Sequence, residues 1–223
     1  MGQWVNRTVL SGSSVDPNGT NSHTCTFTSA TTGNFLVAIV AGAVTFTTPS
    51  GWTLGVTQVG DSGIYMFYKT ASSGESSFST THNASDYAIK GIVYEFAAGS
   101  SYQDGNNTAG MAYNTTANGP QVTGLTGTYT RFAARSGAIA SPSATSNCAW
   151  TLPGVEDYDD YVVEGANDGV LLTVAYDDNQ TGSSFNPSSN ISTTFVVSSG
   201  EGIAFALTVV APSVGIAAPW ITA

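Results

Sequence analysis

The sequence is poor in charge. Only 9% of its 223 residues are charged, against a usual figure of about 25%. Cations are scarcest, with five Lys and Arg against fifteen Asp and Glu, for a formal net charge of −10. Nucleic-acid binding is disfavoured, because affinity for phosphates is supplied by Lys and Arg, and an anionic membrane surface is disfavoured for the same reason. No apolar run approaches 18 residues, so no transmembrane helix and no membrane insertion are expected. The first residues, Met1 to Arg7, lack the apolar centre of a secretory signal. Met1-Gly2 does not make a myristoylation site here, since position 6 is Asn6 rather than Ser or Thr.

Reactive side chains are few as well. The two cysteines, Cys25 and Cys148, show no framework spacing and are read as free, buried thiols. His23 and His82 are the only histidines. His23 shares a strand face with Cys25, which reads as an inert packed pair. Two His and two Cys this far apart do not match a zinc site. Gly60-Asp-Ser-Gly63 has no following helix and is not a phosphate loop. Neither a cofactor nor a metal is expected. Asn-x-Ser/Thr triplets arise by chance in so Asn-, Ser- and Thr-rich a chain, and no glycosylation is read from them.

Helical periodicity is also missing, whereas strand patterns recur throughout. Phe35 to Val40 is a continuous apolar run, as of a strand covered on both faces. Thr53 to Val59, Ile64 to Lys69 and Ile89 to Phe96 are further strands, and Ser76 to Thr81 is a polar outer one. In the second half Tyr129 to Arg135, Val170 to Tyr176, Thr193 to Val197 and Gly202 to Val210 read the same way. Gly- and Pro-rich turns separate them, including Pro49-Ser-Gly51 and Gly60-Asp-Ser-Gly63. The pattern predicts an all-β chain, a single antiparallel β-sandwich over residues 1–211. Val170–Tyr176 and Gly202–Val210 are expected to pair with Phe35–Val40. Residues 99–119 are read as a long inserted loop. Residues 212–223 keep Val214, Ile216, Trp220 and Ile221, and are read as an arm for assembly contacts.

The acids gather in Glu156-Asp-Tyr-Asp-Asp-Tyr161, read as a loop. Three roles compete: a solvated loop, a Ca²⁺ site between Glu156 and Asp160, or a glycan-binding surface. Calcium lacks the spacing of a helix-loop-helix site. For a glycan surface the stacking candidates are Tyr102, Tyr113, Trp150, Tyr158 and Tyr161. Hydrolysis of sugars would require a carboxylate pair across a cleft, and nothing here marks one acid as buried. No catalytic residue is assigned.

Several motifs follow in a fixed order: Asn34-Phe-Leu-Val-Ala, Pro49-Ser-Gly-Trp-Thr-Leu54, Tyr65-Met-Phe-Tyr-Lys-Thr-Ala71, Gly74-Glu75, Val93-Tyr-Glu-Phe-Ala-Ala-Gly99 and Gly202 to Val210. This order resembles a group of β-sandwich proteins found in the virions of tailed bacteriophages and in bacterial surface proteins. The resemblance spans about residues 20–210, with Asn34 in place of the usual acid. It implies a jelly-roll-like virion protein of tail, tail-tip, fibre or head-decoration type, and no catalytic residues. The expectation is a non-enzymatic tail or tail-tip structural protein, made in the host cytoplasm and working as a homotrimer with other virion proteins. A capsid decoration protein and a module recognising a host cell-surface glycan are the alternatives. A glycan-degrading enzyme is least supported. On the residues alone, Trp52 is expected to fold over the end of the core, and Lys69 to pair with Glu75 across a hairpin.

Overall fold

A computed structural model describes residues 4–14, 22–83, 87–112, 116–139, 146–164, 168–193 and 200–210. Among them lie seventeen strands and no helix. The first seven are β1 (Trp4–Ser14), β2 (Ser22–Thr26), β3 (Phe35–Gly42), β4 (Thr53–Gln58), β5 (Gly63–Thr70), β6 (Ser77–Thr81) and β7 (Tyr87–Phe96). Then come β8 (Ser101–Met111), β9 (Ala117–Asn118), β10 (Val122–Thr123), β11 (Tyr129–Ile139) and β12 (Ser146–Leu152). The last five are β13 (Val155–Glu164), β14 (Asp168–Gln180), β15 (Ser184–Phe185), β16 (Ser188–Thr193) and β17 (Gly200–Thr208).

Two five-stranded antiparallel sheets pack face to face, as expected of a β-sandwich. The first has the order β1-β7-β3-β5-β4 and the second β13-β14-β11-β17-β8. Each sheet is thus drawn from one half of the chain, and the two halves share one core. The period of two along a strand sorts its residues between layers. On β3, Phe35, Val37, Ile39 and Ala41 face the second sheet, while Leu36, Ala38 and Val40 face outward into a separate apolar cluster. All eight residues of β3 are buried, which accounts for the unbroken apolar run.

The outward cluster is closed by the two-stranded β2–β6 sheet, from which Phe78 reaches in to Trp52 and Phe67. The outer face of the second sheet is covered in the same way, by the β12-β16-β9 sheet and the β10–β15 pair. Val122, Leu125 and Phe185 pack there on Ala204 and Ala206. The result is four layers, with apolar residues on both faces of each central sheet.

Three expectations change. β14 and β17 are central strands, but they belong to the second sheet and face β3 across the core. Both edges of β3 are already hydrogen-bonded, to β5 and to β7. Of residues 99–119, read as a long inserted loop, 101–111 form the edge strand β8, paired with β17. The acidic segment is also an edge strand, β13, paired with β14. An edge strand leaves one side in water, so it tolerates polar and acidic residues that a central strand would exclude. The arm at 212–223 lies outside the described residues.

The Pro49–Trp52 turn closes with the Trp52 N–H on the Pro49 carbonyl at 3.1 Å, and Gly51 takes φ +78° there. An L side chain is disfavoured at that angle. The turn lays Trp52 over the end of the outer cluster, edge-on to Phe78 at 5.0 Å. Lys69 Nζ lies 5.7 Å from the Trp52 ring centre and donates to Glu75 at 2.7 Å. Both partners of this pair are only 13% exposed, so water screens it less than a surface pair. Glu75→Gln is expected to cost about 1.5–3 kcal/mol, the range for a hydrogen bond to a charged group. A urea midpoint that falls at unchanged slope would check it.

Candidate functional site

The five aromatic residues proposed for glycan stacking do not form one surface. Tyr102 lies on β8 and Tyr158 on β13, at opposite edges of the second sheet. Four strand spacings separate them, roughly 19 Å. Trp150 is on β12, in the covering layer, with its indole N–H on the Thr173 hydroxyl at 2.8 Å. Tyr158 is buried in the shared core, so it cannot serve as a stacking platform. Tyr113 lies outside the described residues, and of Tyr161 only the backbone, in β13, is described.

Tyr102 is also engaged within the fold. Its ring stacks on Tyr68 of the first sheet at 5.1 Å and 16°, and its hydroxyl donates to the Gly55 carbonyl at 3.4 Å. Burial, then Asp104 and Tyr68, pushes its pKa up to about 12. The neutral phenol ties the two sheets together at their β4–β8 edge. Elsewhere on β8, Gln103 donates to the Thr126 carbonyl and to the Thr208 hydroxyl, and Asn106 to the Gln121 carbonyl. These bonds tie the strand to the 121–126 segment and to β17.

On β13 the register slips between Glu156 and Tyr158. A bulge of this kind re-aims a side chain. Here the Asp157 carboxylate accepts the Tyr94 hydroxyl of the first sheet at 2.6 Å. Among the described residues, no cluster of three or more His, Cys, Asp or Glu has the arrangement of a metal site. Cys148 is a buried thiol, and of Cys25 and His23 only the backbone, in β2, is described. His82 is buried. It bridges to Phe46, which its ring meets edge-on at 6.1 Å. Neither of its ring nitrogens has a hydrogen-bond partner.

Buried charges escaped the sequence reading, Arg135 and Glu201 among them. Arg135 is 1% exposed on the outer face of β11. Its guanidinium donates to the Ser189 hydroxyl and carbonyl at 2.9 and 3.4 Å, and to the Met111 and Ala112 carbonyls at 3.3 and 3.0 Å. Glu201 is 4% exposed at the start of β17. Burial first, and Asp61 second, hold its carboxyl above the usual carboxylate range. Each was legible only as a charge set in an apolar strand, Arg135 after Phe132-Ala-Ala and Glu201 before Ile203-Ala-Phe.

The motif residues, by contrast, converge. Asn34 Nδ2 and the Thr31 N–H both donate to Glu95 Oε1, at 2.7 and 2.8 Å. Tyr68 packs on Phe35 at 5.6 Å. With the Trp52–Lys69–Glu75 group, they brace the first sheet and its outer cover. Searches of protein-family models, of curated proteins and of solved structures return no match to this chain.

Proposed function

We propose that this chain is a non-enzymatic structural protein of a tailed-bacteriophage virion, of minor tail or tail-tip type. In this reading it is made in the host cytoplasm, assembles as a homotrimer and joins other virion proteins. The observation that carries the reading is the fate of the motif residues. Asn34, Trp52, Lys69, Glu75 and Glu95 bond to one another or to the adjoining turns in place of lining a cleft. What the ordered motifs mark is then a scaffold, and its role is mechanical. The three stacking candidates whose side chains are described are spread over the fold or buried, which lends the glycan-binding alternative no support.

The test is the molar mass of the purified protein by sedimentation, together with its association with virions. A mass three times that of the 22.8 kDa chain, with recovery in purified particles, is expected. A monomer that stays off particles would sink the proposal. Saturable binding of labelled protein to intact bacteria, competed by free envelope polysaccharide, would move the role to receptor recognition.

A further inference from the structure

Glu201 sits where the two central sheets meet at one end of the sandwich. β17 pairs with β11 there, and Ser136 is the register partner of Glu201. From the first sheet, the turn between β4 and β5 brings up Gly60, Asp61 and Ser62. Ser136 Oγ donates to the Ser62 carbonyl, and the two hydroxyls lie 3.3 Å apart. The Glu201 side chain packs on Gly60 so closely that a Cβ there would run into its carboxylate.

This carboxyl is treated unlike the others. Glu95 receives two N–H groups, Glu75 an ammonium and Asp177 a guanidinium. Glu201 Oε2 is buried with no hydrogen-bond partner. A carboxylate without donors is costly to bury, whereas a neutral acid is far less so. The described groups that face it add no positive charge. Asp61, on the β4–β5 turn, adds a second negative one. β11 offers Ser136, while Arg135 lies on the opposite face of that strand with its guanidinium on Ser189, Met111 and Ala112; β8 offers Thr108 to Met111, none of which titrates. Lys90, the buried amine of the first sheet, lies on β7, two strands from β5.

We propose that Glu201 is a proton-operated latch on this end of the sandwich. As the neutral acid it lets residues 59–63 lie against β17. When it releases its proton to solvent, the new carboxylate has its Oε2 buried without a donor beside Asp61, and the turn is driven away. The sign follows from linkage: the folded chain keeps a proton that the unfolded chain gives up near the ordinary glutamate pKa. Stability is therefore greatest below that pKa and falls as pH rises toward and through the folded value.

Hydrogen exchange followed by mass spectrometry, corrected for intrinsic rates, tests this on the full chain from about pH 5 to about pH 8. In the wild type, protection of peptides covering 59–63 and 200–203 should fall as pH rises, and the melting temperature should fall with it. Glu201→Gln, neutral at every pH, should keep both nearly flat. Parallel profiles for the two proteins would overturn the latch. So would calcium raising the melting temperature of the wild type alone at the upper pH, because the two carboxylates would then be a cation site. Should Glu201→Gln fail to fold, the wild-type profile decides, and a flat one overturns the proposal.

Discussion

Phe132→Ala is expected to lower the unfolding free energy by about 3–5 kcal/mol, the range for removing a large aromatic from a core that cannot collapse. Phe132 is fully buried on β11, facing the first sheet. It stacks on Phe205 at 5.2 Å and 5°, and meets Tyr94 at 5.5 Å and 60°. Phe96 lies at 6.0 Å, edge-on, and Tyr176 at 6.0 Å on the other side. Two of these partners are on the first sheet and two on the second. The ring therefore joins residues 4–96 to residues 101–208 at the centre of the core. Each well-oriented pair adds about 0.5–1.5 kcal/mol beyond area burial. The walls of the vacated space are held by ladder hydrogen bonds and cannot close in. Urea unfolding should show a lower midpoint at unchanged slope. Phe132→Leu, which keeps most of the volume, should lose markedly less. A loss below about 1 kcal/mol for the alanine variant would mean that the sheets are held elsewhere, since buried Phe truncations fall well above that.

The core was legible because its signal is local. The apolar stretches of β5 and β17, and the unbroken run on β3, name the buried residues without any knowledge of their neighbours. The Lys69–Glu75 pair was legible too, being six residues apart across a tight turn. The edge strands were not. On β8, Asp104 and Asn106 accept the next backbone N–H at 2.8 and 2.9 Å. Such side chains favour turns, so Asp-Gly-Asn-Asn reads as one. Only pairing with β17, far along the chain, makes it a strand. The acids of β13 misled for the same reason, since their cost depends on having an open edge.

The scatter of the stacking candidates has a different cause. Which aromatics share a face follows from strand order, and strand order is not written in local patterns. β13 and β8 bound a sheet whose middle strands come from three later or intervening segments. Tyr102 and Tyr158 are thus held apart by the order of the strands between them. Glu201 and Arg135 share this limit. Their character depends on what surrounds them, which is a fact of tertiary structure.

Arg135→Ala should rank with Phe132→Ala, at a cost of about 2–5 kcal/mol, the range for truncating a long buried side chain. Arg135 is among the largest fully buried side chains described. Its fork reaches two elements at once. One arm takes Ser189 on β16, and the other takes the carbonyls of Met111 and Ala112 at the end of β8. The planar guanidinium can serve both in fixed geometry, which a single ammonium cannot. Truncation takes a donor from the buried Ser189 hydroxyl and the Met111 carbonyl, each at about 1–3 kcal/mol where water does not enter, and opens a void beneath the β12-β16-β9 cover. Arg135→Lys should recover only part of the loss. Arg135→Met separates the two contributions, because it refills the volume without a charge. Recovery by Met to within about 1 kcal/mol of the wild type would mean that the site requires bulk, as in buried ion groups replaced by apolar ones. A Met variant as weak as Ala would mean that the hydrogen bonds to Ser189, Met111 and Ala112 hold the cover in place. The geometry favours the second outcome, because backbone carbonyls cannot be replaced by a better-packed neighbour, and their need for donors persists whatever side chain stands at position 135.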